Sequence, residues 1–101
     1  DILLTGRHIG ADEAKSFGLI GRVVADGQAL SEAKKVAGAS AANGPYAVQM
    51  IKRSVQETEG LPEVEALKIE LELGWKVFNS DDAKEGPRAF AEKRKPEFKG
   101  R

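Results

Sequence analysis

Between residues 62 and 79 apolar side chains return at a helical interval: Val64, Leu67, Leu71, Trp75 and Phe78, spaced three, four, four and three. Glu63, Glu65, Glu70, Glu72, Lys68 and Lys76 fall largely off that stripe. The pattern predicts one long helix opened by Pro62 and ending near Asn79. Gly74 costs such a helix about 1 kcal/mol relative to alanine. Earlier, Leu30, Ala33, Ala37 and Ala41 make a stripe of mostly small residues, which predicts a helix from about Ala29 to Ala42 with a closely packed face. A third helix opens at Pro45, carries Val48, Ile51 and Val55 on one side, and stops at Gly60.

The chain's two ends are less regular. Ile2-Leu3-Leu4-Thr5-Gly6 reads as the end of a helix, with no cap before it. The gene product is therefore expected to start upstream of Asp1, and a targeting signal cannot be assessed. Residues 10 to 18 predict a two-turn helix with acidic residues first, a lysine late and Gly18 as a left-handed stop. Leu19 to Val24, short and rich in β-branched residues, suggests an extended scrap of strand, followed by a turn at Asp26-Gly27. Ser80-Asp81-Asp82 is a helix cap signal. Gly86-Pro87 predicts a joint, with one turn before it and a new helix starting at Pro87, because proline is unfavourable inside a helix. Lys95-Pro96 ends that helix and leaves an extended tail. The expectation is a mainly α chain with no internal repeat.

Composition excludes several functions. No apolar run approaches the roughly 20 residues of a membrane span. There is no cysteine, so disulfides, thiol chemistry and Cys-based metal sites are out. That absence fits a reducing compartment, and the expected location is cytoplasmic. Basic and acidic residues balance at 16 each, a poor basis for wrapping duplex DNA. The charges are uneven, however. Residues 57 to 72 carry six carboxylates and one lysine, whereas residues 92 to 101 carry five basic and two acidic side chains. A short basic end can hold a phosphorylated small ligand. As an RNA-binding tail, Lys93 to Arg101 is short and interrupted by Pro96-Glu97.

Candidate chemistry is sparse. His8 is the single histidine, with no cysteine to join it at a metal and no Gly-x-Ser-x-Gly to complete a triad. It reads as a surface residue. Glu63/Glu65 and Glu70/Glu72 are two apart on a helix and point apart, so they read as a solvated face rather than an acid/base pair. Glycine-rich phosphate loops are absent. No catalytic residue and no metal ligand is assigned. At the basic end, Phe90 and Lys93 lie three apart on a predicted helix and would share a face. A ring beside an ammonium suits a purine and its phosphate. The plainer account is a core phenylalanine with solvated lysines around it.

Three stretches together carry a resemblance. The first is Leu4-Thr5-Gly6-Arg7 with Ala11-Asp12-Glu13-Ala14 and Gly18-Leu19-Ile20-Gly21-Arg22-Val23-Val24. The second is Asn43-Gly44-Pro45 with Ala47 and Lys52. The third and most specific is Ser80 to Pro96, with its Asp82-Ala83, Glu85-Gly86, Ala89-Phe90 and Glu92-Lys93-Arg94. In order and spacing they resemble the C-terminal part of the enoyl-CoA hydratase/isomerase (crotonase) family. Pro87 departs from the usual aliphatic residue of the third stretch.

The resemblance implies the C-terminal helical subdomain of an α/β enzyme whose core is a spiral of ββα units. Residues 1–27 would be the end of that core, and residues 28–101 the helical subdomain and tail. It implies an acyl-CoA thioester substrate, with hydration of a 2-enoyl-CoA or movement of its double bond. Coenzyme A would enter as part of that substrate, and no cofactor would be tightly bound. Oxyanion-holding amides and acid/base carboxylates would lie in the missing N-terminal core, so the fragment alone would be inactive. The implied assembly is a homotrimer or hexamer. Phe90 and Lys93 match the positions that line the family's CoA site. The competing reading is a non-catalytic helical module for oligomerisation or docking, with the alanine and Trp75/Phe78 stripes as its interface.

Overall fold

The computed structural model describes all residues 1–101 as six helices joined by turns and irregular segments. These are α1 (Ile2–Thr5), α2 (Ala11–Ser16), α3 (Ala29–Ala41), α4 (Pro45–Thr58), α5 (Glu63–Phe78) and α6 (Asp81–Ala91). The chain forms two compact units, Asp1–Val36 and Ala37–Arg101, which part within α3.

In the first unit, α1 stops at Gly6, whose positive φ of 63° turns its N–H back to Ile2 O. Arg7 then bridges the Asp1 and Glu13 carboxylates at 2.7 and 2.9 Å. α2 ends as its glycine predicts. Gly18 adopts φ 75°, its N–H donates to Lys15 O, and the Leu19 N–H reaches Ala14 O. This is the Schellman pattern, which satisfies carbonyls that the helix end leaves open. The expected strand at Leu19 to Val24 does not form. Its β-branched residues favour extended backbone, but a strand also needs a neighbouring strand to take its N–H and C=O groups, and this chain supplies only helices. The turn at Asp26-Gly27 is present, closed by Gln28 N–H on Ala25 O.

In the second unit, α4 and α5 form a helical hairpin. Glu59 (φ −56°, ψ 123°) and Gly60 (φ 77°) make the connecting turn, with Leu61 N–H on Thr58 O. Those angles define a type II turn, whose third residue needs positive φ and hence glycine. Pro45 opens α4 as expected. α5 is continuous through Gly74.

The face that α5 buries differs from the one its most prominent stripe predicts. Val64, Leu67, Leu71, Trp75 and Phe78 are all exposed. Leu73 is the buried residue, 3% accessible, flanked on the same side by partly buried Ala66, Ile69 and Val77. These four are also spaced three, four and four. α5 is thus apolar on two sides, and α4 takes the less aromatic one. The alanine stripe of α3 is likewise uncovered, since α3 has no buried residue.

α6 corrects a further expectation. It runs unbroken through Pro87, with no joint at Gly86-Pro87. The reason is local. A proline ring clashes with the N–H and the Cβ of the residue before it, and Gly86 has no Cβ to add to that clash. Ser80 caps α6, its Oγ accepting from Ala83 N–H at 3.1 Å. The tail folds back to the same end. The Asp82 carboxylate, buried at 6% exposure, accepts the Lys99 and Gly100 N–H groups at 2.6 and 2.9 Å. Arg101 O accepts from Asp81 N–H and Asp82 N–H at 2.8 and 3.2 Å. The Phe98 ring lies over Gly44 and Gly86, so close that a Cβ at either would touch it, at 3.7 and 3.9 Å.

Candidate functional site

The third family-like stretch becomes α6 and the turn that follows it. α6 ends at Ala91, and Glu92 is its last right-handed residue (φ −80°). Lys93 N–H donates to Phe90 O at 3.2 Å and Arg94 N–H donates to Ala89 O at 3.0 Å. This is a second Schellman closure, but a lysine occupies the left-handed position where glycine is usual, with φ 52°. A side chain there costs about 1 kcal/mol or more against glycine. Phe90 and Lys93 therefore do not share a helix face by simple three-residue spacing. Phe90 belongs to the last helical turn, and Lys93 lies past the end where the backbone reverses.

Phe90 is 87% exposed. That excludes the plainer account of a core phenylalanine anchored within this chain. Its neighbour Ala89 is the buried residue of that turn, at 1% exposure. Lys93 is exposed and forms no ion pair. Ring and ammonium are thus both exposed near one helix end, and the ammonium has no carboxylate partner.

Near them Glu85, Arg88, Glu92 and Arg94 are tied to one another. Arg94 holds Glu85 with two parallel bonds, Nη1 to Oε1 at 2.5 Å and Nη2 to Oε2 at 3.0 Å. Its Nε donates to Glu92 Oε2 at 2.6 Å, and Nη1 also reaches Lys95 O. Glu85 Oε1 accepts the Glu97 N–H at 2.8 Å. Arg88 completes the set with an i,i+4 bond to Glu92 at 3.0 Å. The Arg94 bond, then the Glu97 amide, hold the Glu85 carboxyl down at about 2, against an ordinary 4.5. Arg94 first and Arg88 second lower Glu92 as well, and the two carboxylates raise Arg94. Glu85 and Arg94 were not singled out from the sequence as site residues. Nine positions apart and across a helix end, they follow none of the i,i+3 or i,i+4 rules that reveal ion pairs in a linear chain.

The remaining candidates stay apart. His8 is exposed, and the four helix glutamates of α5 are exposed, as a solvated face should be. No three His, Asp or Glu side chains are placed to hold a metal. An open apolar groove of about 430 Å³ runs between α4 and α5, lined among others by Met50, Val55, Leu73, Gly74 and Val77. Neither Phe90 nor Lys93 lines it. No helix is long and apolar enough to cross a membrane.

The comparisons with known proteins bear on the family and the fold. The family model described as enoyl-CoA hydratase/isomerase matches residues 1–101. Enoyl-CoA hydratase EchA19 of Mycobacterium tuberculosis is 66% identical over 101 residues, which is all of this chain and 38% of that protein. A carnitinyl-CoA dehydratase of Escherichia coli is 36% identical over 105 residues, again across the whole chain and 40% of the relative. Among solved structures, an enoyl-CoA hydratase from Bacillus anthracis superposes with a TM-score of 0.91 at 36% identity, covering 97% of this chain and 38% of that one. An enoyl-CoA hydratase from Mycobacterium tuberculosis gives 0.88 at 38% identity, covering 97% and 39%. The chain thus spans about two-fifths of the length of these relatives. Its fold is the C-terminal helical part of a crotonase-type enzyme, and the chain belongs to the enoyl-CoA hydratase/isomerase family.

Proposed function

We propose that these 101 residues are the C-terminal part of an acyl-CoA-processing enzyme, one that hydrates a 2-enoyl-CoA or shifts its double bond. In this reading residues 1–27 finish the enzyme core, and residues 28–101 form a helical subdomain that supports assembly as a homotrimer or hexamer. Phe90 and Lys93 contribute to the CoA site. The observation that carries the reading is the pair itself: an 87% exposed phenylalanine three residues before an unpaired lysine in a costly left-handed turn, on the family's most specific stretch. A ring of this kind stacks on a purine, and an ammonium neutralises a phosphate. Coenzyme A offers both groups at the end remote from its thioester. Oxyanion stabilisation and proton transfer fall to residues outside this chain, and no tightly bound cofactor is invoked.

The test uses the longer polypeptide that carries this segment. Loss of crotonyl-CoA absorbance measures hydration. Lys93→Ala and Phe90→Ala are each expected to raise KM about tenfold with kcat little changed, because they remove binding common to substrate and transition state. Unchanged KM in both variants would remove the CoA assignment. The 101-residue chain by itself is expected to show no turnover, and turnover by it would overturn the division of labour.

The second reading, a non-catalytic oligomerisation or docking module, is favoured by the exposed α5 stripe from Val64 to Phe78. Under it, the isolated chain would form a monodisperse oligomer by light scattering, and coenzyme A would change nothing.

A further inference from the structure

Lys93 is an expensive choice for its position. Its backbone holds the left-handed conformation that glycine adopts freely, and no ion pair engages its ammonium. Glu92 precedes it and Glu97 follows four residues later, yet both carboxylates leave it alone. The Glu92 carboxylate is taken by Arg88 and Arg94. What fixes the turn is a set of contacts on either side of Lys93. Before it, its own N–H and that of Arg94 are bonded into the helix end. After it, the Arg94 guanidinium is clamped on Glu85 by two parallel bonds. The same Glu85 carboxylate takes the Glu97 N–H, so one side chain of α6 anchors the chain at both 94 and 97. The backbone at 93 is thus held from both directions while its side chain remains free.

We propose that Glu85 and Arg94 are a positioning pair. They hold the turn in the left-handed conformation that presents the Lys93 ammonium to a phosphate of coenzyme A, without touching the ligand themselves. The proposal rests on the reading of Lys93 as a CoA-site residue. Two features separate it from an ordinary surface ion pair, which contributes little. The guanidinium–carboxylate contact is bidentate, which fixes direction as well as distance. The carboxylate is also partly buried and shares its oxygen with a backbone amide, so it organises main chain.

The experiment is a double-mutant cycle in the longer enzyme, read by calorimetric titration with free coenzyme A. The proteins are wild type, Lys93→Ala, Glu85→Gln and the Glu85→Gln/Lys93→Ala double variant. Arg94→Lys is added because it keeps the charge and loses the fork. Lys93→Ala, Glu85→Gln and Arg94→Lys are each expected to weaken coenzyme A by about fivefold, and the double variant to bind no more weakly than Lys93→Ala alone. Thermal melting of Glu85→Gln should stay within a few degrees of wild type, showing that the fold survives. Wild-type affinity in Glu85→Gln and Arg94→Lys, with Lys93→Ala weakened, overturns the positioning role and leaves the CoA reading standing. Losses that add in the double variant overturn it too, since the pair would then act independently of Lys93. Full affinity in Lys93→Ala defeats the CoA assignment of that residue, and the positioning role with it.

Discussion

Lys93 and Glu85 carry most of what is specific to this chain at the scale of single residues. The left-handed backbone at Lys93 makes a direct expectation. Lys93→Gly should stabilise the protein by about 1 kcal/mol, read as a higher denaturant midpoint, because glycine removes the Cβ clash. No gain would mean that the turn is unstrained. Glu85 sets a pH dependence. Its folded carboxyl lies at about 2 and its ordinary value is 4.5, so the folded state favours the charged form. That contribution is complete above pH 4.5 and is lost progressively as pH falls towards about 2. An NMR titration of the Glu85 carboxyl carbon should have its midpoint near 2, and the Glu97 amide should lose exchange protection over the same interval. A midpoint near 4.5 would contradict the Arg94 clamp.

Among the elements, α5 and α6 show how far periodicity carries. Both stripes of α5 have the same three-and-four spacing, so periodicity alone does not choose between them. The hairpin with α4 chooses Leu73. In the 101-residue chain, Leu73→Ala is expected to cost about 2–5 kcal/mol in chemical denaturation, and Leu71→Ala no more than about 0.5 kcal/mol. Equal losses would show that the outer stripe is covered even there. α6 contains the other lesson. Pro87 forgoes a hydrogen bond to Ala83 O, so Pro87→Ala should stabilise by about 1–2 kcal/mol, net of the freedom it restores to the unfolded chain. A destabilised Pro87→Ala would show that the ring itself packs on a neighbour.

For the molecule as a whole, the balance of buried and exposed apolar residues is unusual. Only Ala14, Leu73 and Ala89 are buried hydrophobics, while Leu67, Leu71, Trp75 and Phe78 share one exposed side of α5. Trp75 and Phe78 meet edge to face at 5.5 Å and form one aromatic surface. A contiguous exposed surface of this kind marks a contact site or an aggregation hazard. The isolated chain is therefore expected to bind a hydrophobic dye strongly or to self-associate. A dye-silent, monodisperse monomer would be at odds with the exposed stripe.

The linear order of residues determined the mainly helical class, most helix ends and the family. Those depend on local signals: glycine at left-handed stops, proline at a first turn, Ser80 as a cap, and a motif from Ser80 to Pro96 dense enough to be recognised. Helix closure is a short-range matter of hydrogen bonds within four or five residues, so the chain displays it directly. Tertiary structure alone decided which side of α5 is buried and that Leu19 to Val24 finds no strand partner. It also decided that Glu85 anchors the chain just past the Lys93 turn, and that Asp82 ties the end of the tail to the start of α6. Each of these depends on groups 9 to 18 positions apart, or on the presence or absence of a neighbour, and contacts at that range leave no periodic trace in the order of residues.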